Sequence, residues 1–292
     1  MPRSLISLGA NLGNVHETML AASRLLRDEF FSESLGFSPL YKTPAVGGPS
    51  GQSDFLNAVV SIDSDLSCWQ VWDAIKKIEN ELGRQRLHRW EARRIDIDLI
   101  LHHEQRIWTP HLKVPHPRMC MRTFVLTPAL SIAPEEIDPV TNSTIRELTT
   151  HLYNPTPDPI LVICNSDSLA GMIRRGLELD DSTSKQNQSV NPPRFTVLCC
   201  GSPSELALIE NYGPSSLKIV CVETPDPESI QWEDYSFPWA FAMGLTPKTP
   251  PTVLTGPRYL LPANDLPWAL HEIHAAANAL SCPVTRTDLS FP

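Results

Sequence analysis

The chain has 292 residues, 41% hydrophobic and 20% charged, with a formal net charge of -9. This suits one large or two modest soluble domains, and the acidic balance opposes binding of a nucleic-acid polyanion. No stretch approaches the ~20 apolar residues of a membrane span, and the apolar run after Arg3 is too short for a signal peptide. Seven scattered cysteines with no C-x-x-C pair read as reduced thiols of a cytoplasmic protein, not a disulfide framework or a zinc site.

Taken in order, Ser4–Leu8 reads as a short apolar strand closed by the turn G-A-N-L-G-N. A helix follows over Val15–Phe30, with Met19, Ala22, Leu25 and Leu26 on one face. The turn lacks the lysine and hydroxyl of a P-loop, so it reads as a strand–helix corner. Leu35–Tyr41 leads into T-P-A-V-G-G-P-S-G-Q-S at 43–53, a loop long enough to be functional. Phe55–Ile62 reads as a buried strand with Asn57 on the face of Phe55 and Val59. A buried amide needs partners, either the backbone or the edge of a heterocycle. Trp69–Leu82 has helical periodicity, with Val71, Trp72, Ile75, Ile78 and Leu82 inward and Gly83 placed to end it.

The segment around which the rest is arranged is E-N-E-L-G-R-Q-R-L-H-R-W-E-A-R-R-I-D-I-D-L-I-L, residues 79–101. Between Lys76 and Arg94 stand seven Lys/Arg and three Glu, against the charge of the whole chain. The segment ends in strand alternation: Ile95, Ile97, Leu99 and Leu101 point one way, Asp96 and Asp98 the other. Two carboxylates at i and i+2 lie about 6.5–7 Å apart at Cα. They repel unless cations intervene, so they pair with Arg84, Arg86, Arg93 or Arg94, or they hold a divalent cation. Arginines beside a Mg²⁺-type pair are what a nucleoside triphosphate requires. Farther on, P-H-P-R-M-C-M-R-T-F-V-L at 115–126 groups His116, Arg118 and Arg122 near Phe124, as further phosphate ligands. Ile145–Leu152 reads as a helix, and N-P-T-P-D-P at 154–159 as a linker.

With these pieces in order, residues 1 to about 150 resemble the 6-hydroxymethyl-7,8-dihydropterin pyrophosphokinase family. The resemblance rests on S-L-G-A-N-L-G-N, Y-K-T-P, D-F-L-N-A-V, the 81–101 segment and P-H-P-R-M…R-T-F-V-L-T-P. It implies an α/β (α+β) fold with a ferredoxin-like antiparallel sheet flanked by helices. It also implies transfer of the pyrophosphoryl group of ATP to the pterin hydroxymethyl oxygen, with release of AMP. On that resemblance Asp96 and Asp98 hold two Mg²⁺ ions, and Arg84 and Arg93 act with them in catalysis. Arg86 and Trp90 belong to a mobile loop over ATP, joined by Glu79, Leu99, His116, Arg118 and Arg122. Phe55 and Phe124 sandwich the pterin, while Asn57, Thr43, Ala45 and Val46 bond its polar edge. Two departures stand out: the stretch between Arg86 and Trp90 is short and lacks a lysine, and Arg94 directly follows Arg93. Neighbours on an extended chain face opposite ways, which favours Arg93 for catalysis. The rival reading is a non-catalytic nucleotide- or pterin-binding protein.

The resemblance leaves 160–292 uncovered. The expected organisation is a pyrophosphokinase domain over 1–153, the linker over 154–159 and a smaller α/β domain over 160–292. Strands are expected at 160–164, 195–200, 217–222 and 252–255, and helices at Ser168–Leu177, Ser204–Tyr212 and Leu266–Leu280, a parallel pattern. The polar stretch 180–194 reads as disordered. C-C-G-S-P-S-E-L at 199–206 could seat an anion, though most such turns bind nothing. His271 and His274 lack a third metal ligand in view. This region reads as a separate ligand-binding, partner-docking or oligomerisation module, and the sequence leaves the oligomeric state open.

Overall fold

The computed structural model describes residues 1–30, 35–47, 49, 51–83, 92–109, 111–153, 160–184, 195–200, 217–223 and 256–292. Its first layer is an antiparallel sheet. Strand β1 (Arg3–Ala10) lies between β4 (Phe55–Asp63) and β5 (Asp96–His102), while β2 (Leu35–Phe37) and β3 (Tyr41–Thr43) pair with β4. The strands alternate. Ile6, Leu8 and Ala10 of β1, and Leu56, Ala58, Val60 and Ile62 of β4, enter one buried cluster. Helices α1 (Val15–Phe30) and α2 (Cys68–Glu81) cover that face, inserting Met19, Ala22 and Leu26, and Val71, Ile75 and Ile78. Both helices sit where apolar periodicity placed them. A reciprocal Ser67–Gln70 capping box starts α2, satisfying donors that the first turn leaves orphaned. Gly83 follows α2 at φ 74°, the left-handed conformation that favours glycine at a helix end.

One expectation about β5 is corrected. Ile97 and Leu99 lie on the helix-covered face as the alternation requires, but Leu101 does not. Ile6 pairs with Leu99 and Leu5 with Leu101, so Ile100 is an extra residue, a β-bulge. The bulge flips the pleat, and Ile100 and Leu101 join Leu5 in the cluster on the opposite face.

After β5 come the hairpin β6 (Ile107–Trp108)/β7 (Lys113–Val114), one 3-10 turn at Met119–Met121 and α3 (Thr123–Leu130). Helix α3 is not among the helices expected from apolar periodicity. The hairpin β8 (Ile137–Asp138)/β9 (Ser143–Thr144) then leads into α4 (Ile145–Tyr153). Residues 154–159, the expected linker, lie outside the described residues.

The second layer is a parallel sheet in the order β11 (Phe195–Cys199), β10 (Ile160–Cys164), β12 (Lys218–Val222), β13 (Arg258–Pro262), with α5 (Asp167–Ser184) and α6 (Leu266–Leu280). Helix α5 runs through Ser184, so the first five residues of the stretch expected to be disordered are helical, and 185–194 lie outside the described residues. The same holds for the expected helix at Ser204–Tyr212 and strand at 252–255; β13 was not foreseen.

The two layers are not independent units. One buried cluster contains Leu5, Val59 and Leu126 of the first region together with Val162, Ile219 and Ile273 of the second. The last strand, β14 (Thr285–Arg286), leaves the second region and pairs with β3, adding an edge to the first sheet. A side chain fully buried in such a cluster contributes about 1.5–3 kcal/mol, so separating the layers would expose a large apolar surface.

Candidate active site

The face of the first sheet opposite α1 and α2 carries the polar residues. Asn57 pairs with Gly9 and Asp96 with Gly9, while Asp98 pairs with Ser7, so β4, β1 and β5 present them side by side. A Cβ on Gly9 would stand 3.2 Å from the Asn57 Oδ1 and 3.9 Å from the Phe55 ring. The missing side chain therefore leaves room between the amide and the carboxylates. This is a role that the reading of G-A-N-L-G-N as a corner did not foresee.

Asn57 is buried, and its Nδ2 donates to the Thr43 Oγ1 at 2.9 Å. That bond joins two residues expected at the pterin edge and ties β4 to the last residue of β3. Ala45 and Val46 follow in that loop, half-buried. Val46 lines a narrow crevice with Phe124, Arg118 and Arg122. Phe124 lies in the first turn of α3, with the Arg122 guanidinium 5.4 Å from its ring centroid.

Asp96 and Asp98 are both half-buried, as two carboxylates on one face of β5 should be. Arg93 Nη1 lies 2.5 Å from Asp96 Oδ2. The ion-pair reading of Asp96 thus holds in this molecule, and the guanidinium assigned to catalysis is docked on a carboxylate assigned to metal. Arg94 is turned the other way, its Nη1 3.4 Å from where a Cβ of Gly83 would stand. Asn11 shapes this corner, and the sequence reading missed it. Its Oδ1 accepts from Arg93 N at 2.7 Å, its own N–H and that of Leu12 donate to Arg93 O, and its Nδ2 donates to Ser53 O and Gln52 Oε1. The signal was an amide side chain inside a Gly-rich turn.

His116 follows a cis Val114–Pro115 bond and is anchored by its N–H to Ile100 O. Its Nδ1 accepts from Arg118 N at 3.1 Å, which assigns the ring proton to Nε2. Nε2 points to Asp98 Oδ2 at 3.8 Å. Burial, then the Arg122 and Arg118 charges, hold His116 well below the ordinary imidazole value, so the ring is neutral. Burial, with Arg118 next, pushes Arg122 down to about 10. A half-buried cation next to another cation favours an arriving anion.

Three expectations change. Glu79, assigned to the nucleotide side, is 2% exposed; its Oε1 accepts from Ile97 N at 2.8 Å and its Oε2 pairs with Lys76 at 2.7 Å. It holds β5 from the helix side. Leu99, assigned to ATP, packs its side chain in the cluster under α1 and α2, leaving only its backbone for a ligand. Arg118 is engaged by a residue of α6: Nε and Nη2 donate to the two oxygens of Glu272 at 3.0 and 2.8 Å. Arg84, Arg86 and Trp90 lie outside the described residues.

Taken together, the fold and this face define an α/β protein with paired carboxylates, a neutral histidine and half-buried arginines around one crevice, chemistry suited to a polyphosphate beside a flat polar ring. Comparison with known proteins makes that class specific. Residues 5–134 match the model of the 7,8-dihydro-6-hydroxymethylpterin-pyrophosphokinase (HPPK) family. The 2-amino-4-hydroxy-6-hydroxymethyldihydropteridine pyrophosphokinase of Haemophilus influenzae is 35% identical over 48% of this chain and 86% of its own length. That of Bacillus subtilis is 39% identical over 44% of this chain and 75% of its own. The Folic acid synthesis protein FOL1 of Dictyostelium discoideum is 32% identical over 55% of this chain and 25% of its own length. The chain belongs to the HPPK family through its N-terminal half.

Proposed function

We propose that this protein transfers the pyrophosphoryl group of ATP to 6-hydroxymethyl-7,8-dihydropterin, forming AMP and the pterin diphosphate in folate biosynthesis. The observation that carries the reading is the juxtaposition, within the family segment, of Asp96, Asp98, His116 and Arg122 on the sheet face that also holds Asn57 and Thr43. In the reaction the hydroxymethyl oxygen attacks the β-phosphorus. The bond from that phosphorus to the bridging oxygen breaks, the oxygen leaves on AMP, and the hydroxyl proton passes to solvent.

Asp96 and Asp98 offer hard oxygen donors on one face, and among the described residues no cluster of three metal-ligating side chains stands there. Two carboxylates suit Mg²⁺, which usually keeps waters and substrate phosphate oxygens in its shell. We assign two ions to this pair and the triphosphate, where they would neutralise charge on the transferred group. The chain's own residues bind and orient. Arg122, and His116 through Nε2–H, take phosphate or nucleotide oxygens. Arg93, which the structure holds beside Asp96, would support charge on the bridging oxygen. Arg84, Arg86 and Trp90 complete the nucleotide side, and Arg118 lies beside it. On the other side Phe55 and Phe124 stack the pterin, worth about 0.5–1.5 kcal/mol beyond area burial. Asn57, Thr43 and the backbone at Ala45 and Val46 bond its polar edge.

Phosphorus NMR of the full chain with ATP, Mg²⁺ and 6-hydroxymethyl-7,8-dihydropterin tests this. Pterin-dependent AMP and a new diphosphate ester are the expected products. ADP, or intact ATP with pterin bound, would overturn the reading.

A further inference from the structure

Glu272 lies far beyond the family segment, on α6 of the second layer, yet it lines the crevice. It is 1% exposed, and both its oxygens are used: Oε1 accepts from Arg118 Nη2 at 2.8 Å, and Oε2 from Arg118 Nε at 3.0 Å and from the Tyr259 hydroxyl at 2.9 Å. Tyr259, on β13, is itself 3% exposed, and the Arg118 guanidinium lies 6.0 Å from its ring centroid. The end of α6 is fastened to the start of α3, where Thr123 Oγ1 donates to Ala279 O and Cys282 O at 3.2 and 2.8 Å. Ala275 and Ala279 of α6 form one wall of the crevice that Val46, Arg122 and Phe124 line from the first layer.

A planar guanidinium held by two parallel bonds to one carboxylate has little rotational freedom. Arg118 is also the residue whose backbone N–H holds His116 Nδ1, and so directs Nε2–H toward Asp98. The connection runs without a gap from Tyr259 and Glu272 through Arg118 to the imidazole. An interface that needed only adhesion would be served as well by apolar residues, since a buried ion pair commonly gains little over a hydrophobic replacement. We propose that Glu272 is a positioning residue of the pyrophosphokinase site, supplied by the C-terminal layer and acting through Arg118 on the His116 imidazole. The inference rests on the function proposed above. It makes the second layer part of the nucleotide site rather than a companion module.

The test uses the full chain and two variants, Glu272→Gln and Tyr259→Phe. Three readouts are compared: the Kd of a non-hydrolysable ATP analogue with Mg²⁺, the separate KM values for ATP and pterin with kcat, and the nitrogen-15 signature of the His116 ring. Glu272→Gln should weaken analogue binding and raise the ATP KM about tenfold, the usual scale for losing an orienting partner. The pterin KM should stay within about twofold, and the single Nε2–H tautomer of His116 should give way to a mixture. Tyr259→Phe leaves the ion pair and should move the same quantities in the same direction by about two- to threefold. Wild-type analogue affinity and His116 tautomer in both variants would overturn the proposal. So would equal losses of nucleotide and pterin binding, which mark general loosening. Should Glu272→Gln fail to fold, Tyr259→Phe decides by the same criteria. Absence of pterin-dependent AMP in the unmodified chain would overturn the pyrophosphokinase reading; analogue binding and the His116 signature would still decide the role of Glu272.

Discussion

Replacing Glu79 by alanine separates two jobs for one carboxylate. The structure gives it the Ile97 N–H at 2.8 Å and Lys76 at 2.7 Å, with the side chain shut off from solvent. Ile97 stands between Asp96 and Asp98, so its N–H fixes the stretch of β5 that carries both. Removing the acceptor strands a buried donor, at about 1–3 kcal/mol. Lys76, 29% exposed, can turn to water, and its loss adds less than about 1 kcal/mol. The expected cost is therefore about 1–4 kcal/mol, near 2–6 °C in Tm for a chain of this size. Displacement of β5 should also lower kcat about tenfold or more, because small misplacements at a reacting centre are costly. Glu79→Gln keeps an acceptor for Ile97 and should cost about 1 kcal/mol or less. Urea and thermal unfolding, with steady-state kinetics, check all three. A Glu79→Ala protein with wild-type Tm and a raised ATP KM alone would refute the reasoning and return Glu79 to the nucleotide side.

Asp96→Ala or Asp98→Ala should depress pterin-dependent AMP formation about a hundredfold or more while circular dichroism and Tm stay close to wild type; full activity in either would remove the metal assignment. Phe124→Ala should raise the pterin KM more than the ATP KM, and equal rises would count against stacking. Burial and the neighbouring His103 hold His102 below the ordinary imidazole value, and its Nδ1 bonds Ser4 Oγ at 2.8 Å. The unfolded chain then binds the proton more readily. Stability from neutral His102 is complete above about pH 6.5 and is lost as pH falls toward the folded value. Urea midpoints from pH 7.5 to 5 should show that decline, and His102→Gln should flatten it. Truncation to residues 1–153 should give an aggregating or molten product, because it strips Val162, Ile219 and Ile273 from the cluster that holds Leu5 and Leu126. A soluble, cooperative 1–153 fragment with full activity would show the layers to be independent.

Much of the candidate site could be read along the chain because its chemistry is local. The D-x-D pair falls on one face of β5 because strand side chains alternate. His116 and Arg122 sit in one short segment, and Asn57 announces itself as an amide inside an apolar run. The parallel character of the second sheet also followed from strands alternating with helices. What failed depended on partners distant in sequence. Leu101 changed face because of a bulge whose extra residue is defined only against β1. Helix α3 has few polar residues, so it presented no amphipathic stripe, being covered from more than one side.

Composition, periodicity and motif order by themselves determined an α/β chain, its long helices, the carboxylate face and the family of the first half. Those features follow from the conformational preferences and side-chain chemistry of neighbouring residues. Tertiary structure alone decided which partner each charged group takes: Arg93 on Asp96, Glu79 on the Ile97 amide, and Arg118 on a glutamate 154 positions away. It also joined β14 to β3 and merged two expected domains around one core. Burial raises the cost of an unpaired charge, so the pairing is fixed by whichever opposite charge the packing brings within reach, and no local pattern specifies that.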